Sequence, residues 1–112
     1  MDIKKPTVQL LGRWQPWHDG HTELFKRAIA KTGQVAIMVR NTGEKFHDRE
    51  KMIETLKVEG YHMNLDYVII DVPNITNITY GRKVGYKIEQ ESFEKEIEDI
   101  SGTRIRNANN LL

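Results

Sequence analysis

Two histidines three residues apart, His18 and His21, stand in the stretch GRWQPWHDGH (residues 12–21) with Gly20 between them. If a helix begins near Gly20, both imidazoles face one point. Two donors converging on an anion stabilise charge as it grows on a phosphoryl oxygen. The same pair can ligate a metal, but no third ligand at zinc spacing accompanies it. Around the pair, Gly12 lets a ligand approach the backbone and Pro16 stiffens the turn. Trp14 and Trp17 are bulky aromatics that serve a core as readily as a site. A histidine pair alone says little, so its meaning rests on the elements that hold it.

Those elements alternate. TVQLLG (7–12) is a short apolar run ending in glycine and predicts a first buried strand. From Thr22 the apolar residues Leu24, Phe25, Ala28 and Ile29 recur at helical spacing, and Gly33 supplies a stop. QVAIMVR (34–40) is a second strand, too apolar on both faces for a solvated sheet. NTGEKFHD (41–48) has turn residues and no period, and Asp48 suits the N-cap of the helix that follows. That helix runs from Arg49 through Met52, Ile53 and Leu56 to Gly60, and LDYVIIDVP (65–73) is a third strand ended by proline. NITNITYG (74–81) and GYKIEQESF (85–93) alternate as strands would, and ISGTRIRNANNLL (100–112) predicts a closing helix. Short connections between strands and helices imply right-handed crossovers and a mostly parallel, five-stranded sheet covered on both faces. The expected fold is a single doubly wound α/β domain over 1–112, with ligands beyond the carboxyl ends of its strands. The turn at 12–21 lies at that edge and feeds a helix N-terminus, which attracts phosphate.

The whole chain has 112 residues, enough for one core, and 17 basic residues nearly balance 16 acidic ones. Net charge therefore gives no reason to expect a nucleic-acid partner or an acidic membrane. The absence of cysteine excludes disulfides and thiolate metal sites. The opening MDIKKPTVQLLG is too short in its apolar run for a signal peptide or a membrane span, so a cytoplasmic protein is expected.

GRWQPWHDGH resembles the G-R-F-Q-P-x-H-x-G-H signature of the HxGH nucleotidyltransferase superfamily, which includes small adenylyl- and cytidylyltransferases; Trp14 stands where phenylalanine is commoner. ISGTRIR (100–106) resembles the family's C-terminal I-S-S/G-T-x-x-R motif, and REKMIETL (49–56) is similar to the arginine-led helix of glycerol-3-phosphate cytidylyltransferase. The three motifs stand in the family's order and span nearly the whole chain. DVPNITNITYGRKVGYKIE (71–89) also resembles small cytidylyltransferase-like proteins, a likeness that names no substrate.

The resemblance implies a Rossmann-like fold and a reaction. A phosphate-bearing acceptor attacks the α-phosphorus of a nucleoside triphosphate, pyrophosphate leaves, and Mg²⁺ accompanies the nucleotide. On that model His18 and His21 contact the triphosphate, while Gly12, Arg13, Trp14 and Gly20 line the nucleotide pocket. Ser101, Gly102 and Thr103 cradle the leaving phosphates, and Arg106 closes the motif as a forked donor. Lys45 matches the lysine that family members supply after the second strand, and Arg49 and Arg82 are substrate-binding candidates. Small members pair as homodimers, with the contact expected at 41–56. The chain departs from the cytidylyltransferases in carrying EIED (96–99) where they have R-T-E-G, and S-G-T leans toward ATP over CTP. A non-catalytic nucleotide-binding module that regulates a partner enzyme is the alternative. An RNA-binding fragment is disfavoured by the balanced charge.

Overall fold

The structure, a computed structural model, describes residues 1–43, 49–82 and 85–90. Five elements alternate along it: β1 (Val8–Gly12), α1 (Asp19–Thr32), β2 (Val35–Arg40), α2 (Arg49–Val58) and β3 (Tyr67–Val72). The strands form a parallel sheet in the order β1-β2-β3. Leu10 pairs in register with Ile37, and Ile37 with Ile69, so each step along the sheet is one crossover wide.

Strand alternation explains where the core sits. Leu10, Val35, Ile37 and Tyr67 point to one face, where they cluster with Phe25 and Ala28 of α1 and Met52 and Leu56 of α2. Both helices therefore lie on the same face, as consecutive right-handed crossovers require. Phe25, Val35, Ile37, Leu56 and Tyr67 are fully covered, and burying each large apolar side chain contributes roughly 1.5–3 kcal/mol. The opposite face carries Leu11, Met38 and Ile70 in register, with Ile70 exposed. No helix among the described residues covers it.

The helix ends follow their sequence signals. Gly33 takes the left-handed conformation at φ 87° and its N–H donates to the Ile29 carbonyl at 2.7 Å, closing α1. Gln34 then ties the chain's start to the sheet. Its side-chain nitrogen donates to the Asp2 carbonyl and to Thr7 Oγ1, each at 2.7 Å.

Helix α1 starts at Asp19, beside Gly20 as expected. One expectation changes. The alternation in 74–81 and 85–93 predicted further strands, but the described part of both stretches forms none. Ile78, Tyr80, Tyr86 and Ile88 are all exposed, so the alternation there faces no core. Period alone does not make a strand when no apolar face receives it. Three parallel strands and one helical layer are thus described, and 91–112, with the end of the last expected strand and the closing helix, lie outside the described residues.

Candidate active site

The turn between β1 and α1 is built around buried aromatics. Trp14 and Trp17 are 3% and 1% exposed, and their ring centroids lie 5.8 Å apart. The Trp14 indole N–H donates to the Met38 carbonyl of β2 at 3.0 Å, and that of Trp17 donates to Thr22 Oγ1 at 3.0 Å. Each tryptophan thus packs as a core residue while its polar atom pins the turn to a neighbouring element. Trp14 adopts φ 57°, a conformation that costs a non-glycine residue on the order of 1–3 kcal/mol and persists only where surrounding packing enforces it. Its neighbours here do so. Gly12, Arg13 and Gly20 are buried in the same turn.

His18 occupies the N-cap of α1 in an extended conformation, and its side chain makes no capping hydrogen bond. Its carbonyl accepts from the His21 and Thr22 N–H groups at 2.9 and 3.1 Å. Serine or aspartate at this position would fold its side chain back onto the first turn. Histidine leaves that end free of a competing side-chain oxygen. His18 and His21 fall on one face, as their spacing predicts, and their rings stack with centroids 3.6 Å apart and planes 25° from parallel. Trp14 and Trp17 back the His21 ring at 5.0 and 5.2 Å. Both ring nitrogens of His18 and Nδ1 of His21 are buried with no hydrogen-bond partner among the described residues. Buried polar atoms are nearly always paired, so three orphans in one stacked pair point to a missing partner.

Their charge state follows from burial. Loss of solvent, and then the neighbouring His18 ring, lower His21 to a pKa of about 3. His18 is also lowered: burial is the largest cause, Asp19 opposes it and Lys51 adds to it. At neutral pH the pair is uncharged, each ring presenting one N–H and one lone pair. An anion arriving there would meet oriented dipoles rather than two positive charges, and a phosphate would favour protonation of the more exposed His18.

The other expected residues fall into three groups. Arg49 opens α2 and donates to Asp71 of β3 at 2.7 Å, an ion pair with both side chains largely exposed. Arg82 is exposed beyond β3, and no contact among the described residues joins it to the histidines. Lys45, Ser101, Gly102, Thr103 and Arg106 lie outside the described residues, as does Asp48. Sequence reasoning missed Lys51, whose charge reaches His18 from the first turn of α2. It also passed over Arg40, the one charged residue in an otherwise apolar strand. A cation in a helix's first turn, against the dipole, was the available signal for Lys51.

No group of three or more histidine, aspartate or glutamate side chains that could hold a metal occurs among the described residues. No helix among them is long and apolar enough to cross a membrane. The site is an anion-ready helix end on the carboxyl edge of a parallel α/β sheet. The chain is 28% identical to the nicotinamide-nucleotide adenylyltransferase of Methanococcus maripaludis over an alignment of 126 positions, which covers 87% of this chain and 74% of that protein. No family model matches the chain. No solved structure matches it either. The adenylyltransferase likeness supports reading the chain as a nucleotidyltransferase.

Proposed function

We propose that this protein transfers the adenylyl group of ATP to a small phosphate-bearing acceptor and releases pyrophosphate. The observation that carries the reading is the stacked His18–His21 pair at the head of α1, three of whose ring nitrogens are buried without a hydrogen-bond partner among the described residues. An acceptor phosphate oxygen attacks the α-phosphorus, the bond from that phosphorus to the bridging oxygen breaks, and its electron pair leaves on pyrophosphate. No bond to the protein forms, so positioning and charge stabilisation are the whole of the protein's task. The imidazole N–H groups and the unladdered amides at the start of α1 stabilise the spreading charge on the phosphoryl oxygens.

On the same reading Ser101, Gly102, Thr103 and Arg106 complete the phosphate cradle, Lys45 adds a cation, and two copies of the chain associate through 41–56. Arg49 holds α2 against β3, and a substrate phosphate that reaches it must displace Asp71. Magnesium fits as a companion of the nucleotide: the described donors at the site are imidazoles and cations, so phosphate oxygens would supply its ligands. ATP is favoured over CTP by the adenylyltransferase likeness. Nicotinamide mononucleotide, the acceptor suggested by that relative's name, is the first compound to try.

The test is pyrophosphate release from ATP and from CTP over a panel of phosphorylated acceptors. Release that requires both ATP and one acceptor, and that collapses in His18→Ala, is the expected result. Tight ATP binding with no release over the panel would support the non-catalytic module instead.

A further inference from the structure

Arg40 ends β2, the middle strand, on the same carboxyl edge as the histidine pair. The two are linked by contacts. His21 packs on Trp14, whose indole donates to the Met38 carbonyl, and Arg40 follows two residues later, about 7 Å along the strand. By alternation Arg40 shares the face of Met38, the one that α1 and α2 leave bare. Its guanidinium leans across the exit of β3, where Nη1 donates to the Ile75 carbonyl at a long 3.4 Å. Nε is buried and has no partner among the described residues.

The neighbouring carboxylate does not complete it. Asp71 lies one register step back on the other face and is engaged by Arg49 at 2.7 Å. A half-buried guanidinium with five donors thus has one long neutral hydrogen bond and no acidic partner among the described residues. Leaving such a charge uncompensated is costly, and planar forked donors match phosphate oxygens in pairs. The triphosphate is already provided for at the head of α1, over β1. Arg40 stands one strand away.

We infer that Arg40 binds the phosphate of the acceptor, fixing the second substrate over the exits of β2 and β3 while the nucleotide occupies the histidine side. This rests on the transferase reading for the acceptor's identity, but the phosphate site itself does not.

The experiment is calorimetry on the full chain with ribose 5-phosphate as probe, in the presence of a non-hydrolysable ATP analogue, with ribose as control. Arg40→Gln retains a donor for the Ile75 carbonyl but no charge; Arg40→Lys retains the charge but no fork. Ribose 5-phosphate should bind the wild type and ribose should not. Affinity should fall roughly tenfold or more in Arg40→Gln, the scale of losing a charged hydrogen bond, and by less in Arg40→Lys. Affinity for the ATP analogue should stay within about twofold, since that contact lies elsewhere. Equal binding by the wild type and Arg40→Gln, or no binding of the phosphate ester by the wild type, would overturn the assignment. So would equal loss of both ligands. Should Arg40→Gln fold poorly, Arg40→Lys decides: unchanged phosphate-ester affinity together with unchanged acceptor KM overturns the forked contact. Arg40-dependent phosphate binding in a chain that binds no ATP analogue would end the transferase reading and leave the phosphate site standing.

Discussion

Two helices begin on the same edge of this sheet, and they treat their first turns in opposite ways. At the head of α1, beside the exposed Asp19, stand two neutral rings: half-buried His18 stacks on buried His21, which packs against two tryptophans, and three ring nitrogens are unsatisfied among the described residues. At the head of α2 the side chains are exposed and charged, and Arg49 is matched by Asp71. Both helix ends offer backbone amides and a favourable dipole to an anion. Of the two, the first spends burial on groups that lack hydrogen-bond partners among the described residues. A surface ion pair holds two elements together at little gain, whereas desolvated donors strengthen sharply when an anion reaches them. On the proposed reading, the difference separates a site from a brace.

The largest effect should come from the first helix end. Replacing His18 or His21 by alanine should lower transfer by roughly two to three orders of magnitude, the usual consequence of losing one oriented donor to a developing charge. Nucleotide affinity should fall less than turnover, because the contact is strongest as charge spreads. Steady-state kinetics with the productive substrate pair will check this, and near-full activity in either variant would erase the contrast between the two ends.

A second effect concerns pH. The folded pKa of His21, about 3, lies below its ordinary 6.5, so the unfolded chain binds the proton more readily. The stability this provides is complete above about pH 6.5 and is lost as pH falls toward 3. Between pH 6.5 and 5 the loss from His21 alone should be roughly 1.5 kcal/mol, and His18 acts in the same direction. Urea unfolding at several pH values should show that slope in the wild type and a flatter one in His21→Gln. Equal slopes would mean that His21 is not held neutral by burial.

Smaller effects sharpen the comparison. Trp17→Phe keeps an aromatic ring but loses the indole donor to Thr22 and part of the buried packing, and should cost at least about 1 kcal/mol by thermal or urea unfolding. Arg49→Gln at the second helix end should cost no more than about 0.5 kcal/mol, since both members of its pair are exposed. A fall in substrate affinity or turnover at unchanged stability would make Arg49 part of the site rather than a brace.

Much of this was legible in the sequence. The apolar runs at 7–12, 34–40 and 65–73 and the glycine at 33 located the strands and the end of α1, because burial and backbone freedom act locally. His18 and His21 were legible as a pair through spacing alone. Trp14 was not: its left-handed backbone and its bond to the Met38 carbonyl depend on β2 lying beside the turn. Lys51 and Arg40 were hidden for the same reason, since each acquires meaning from a strand or helix distant in sequence. The alternation at 74–81 and 85–93 gave no strand in its described part because period 2 records a preference for two-sidedness, and Ile78, Tyr80, Tyr86 and Ile88 there all meet solvent.

The most direct test of the histidine pair is a titration with inorganic pyrophosphate, the expected product, followed by ¹⁵N NMR at the imidazole nitrogens. Without ligand both rings should remain neutral at pH 7. Pyrophosphate should shift the ring resonances of both His18 and His21, raise the pKa of His18, and bind more weakly to His18→Ala. Resonances that stay unmoved while pyrophosphate binds with equal affinity to wild type and His18→Ala would contradict the assignment of the phosphate site to this turn.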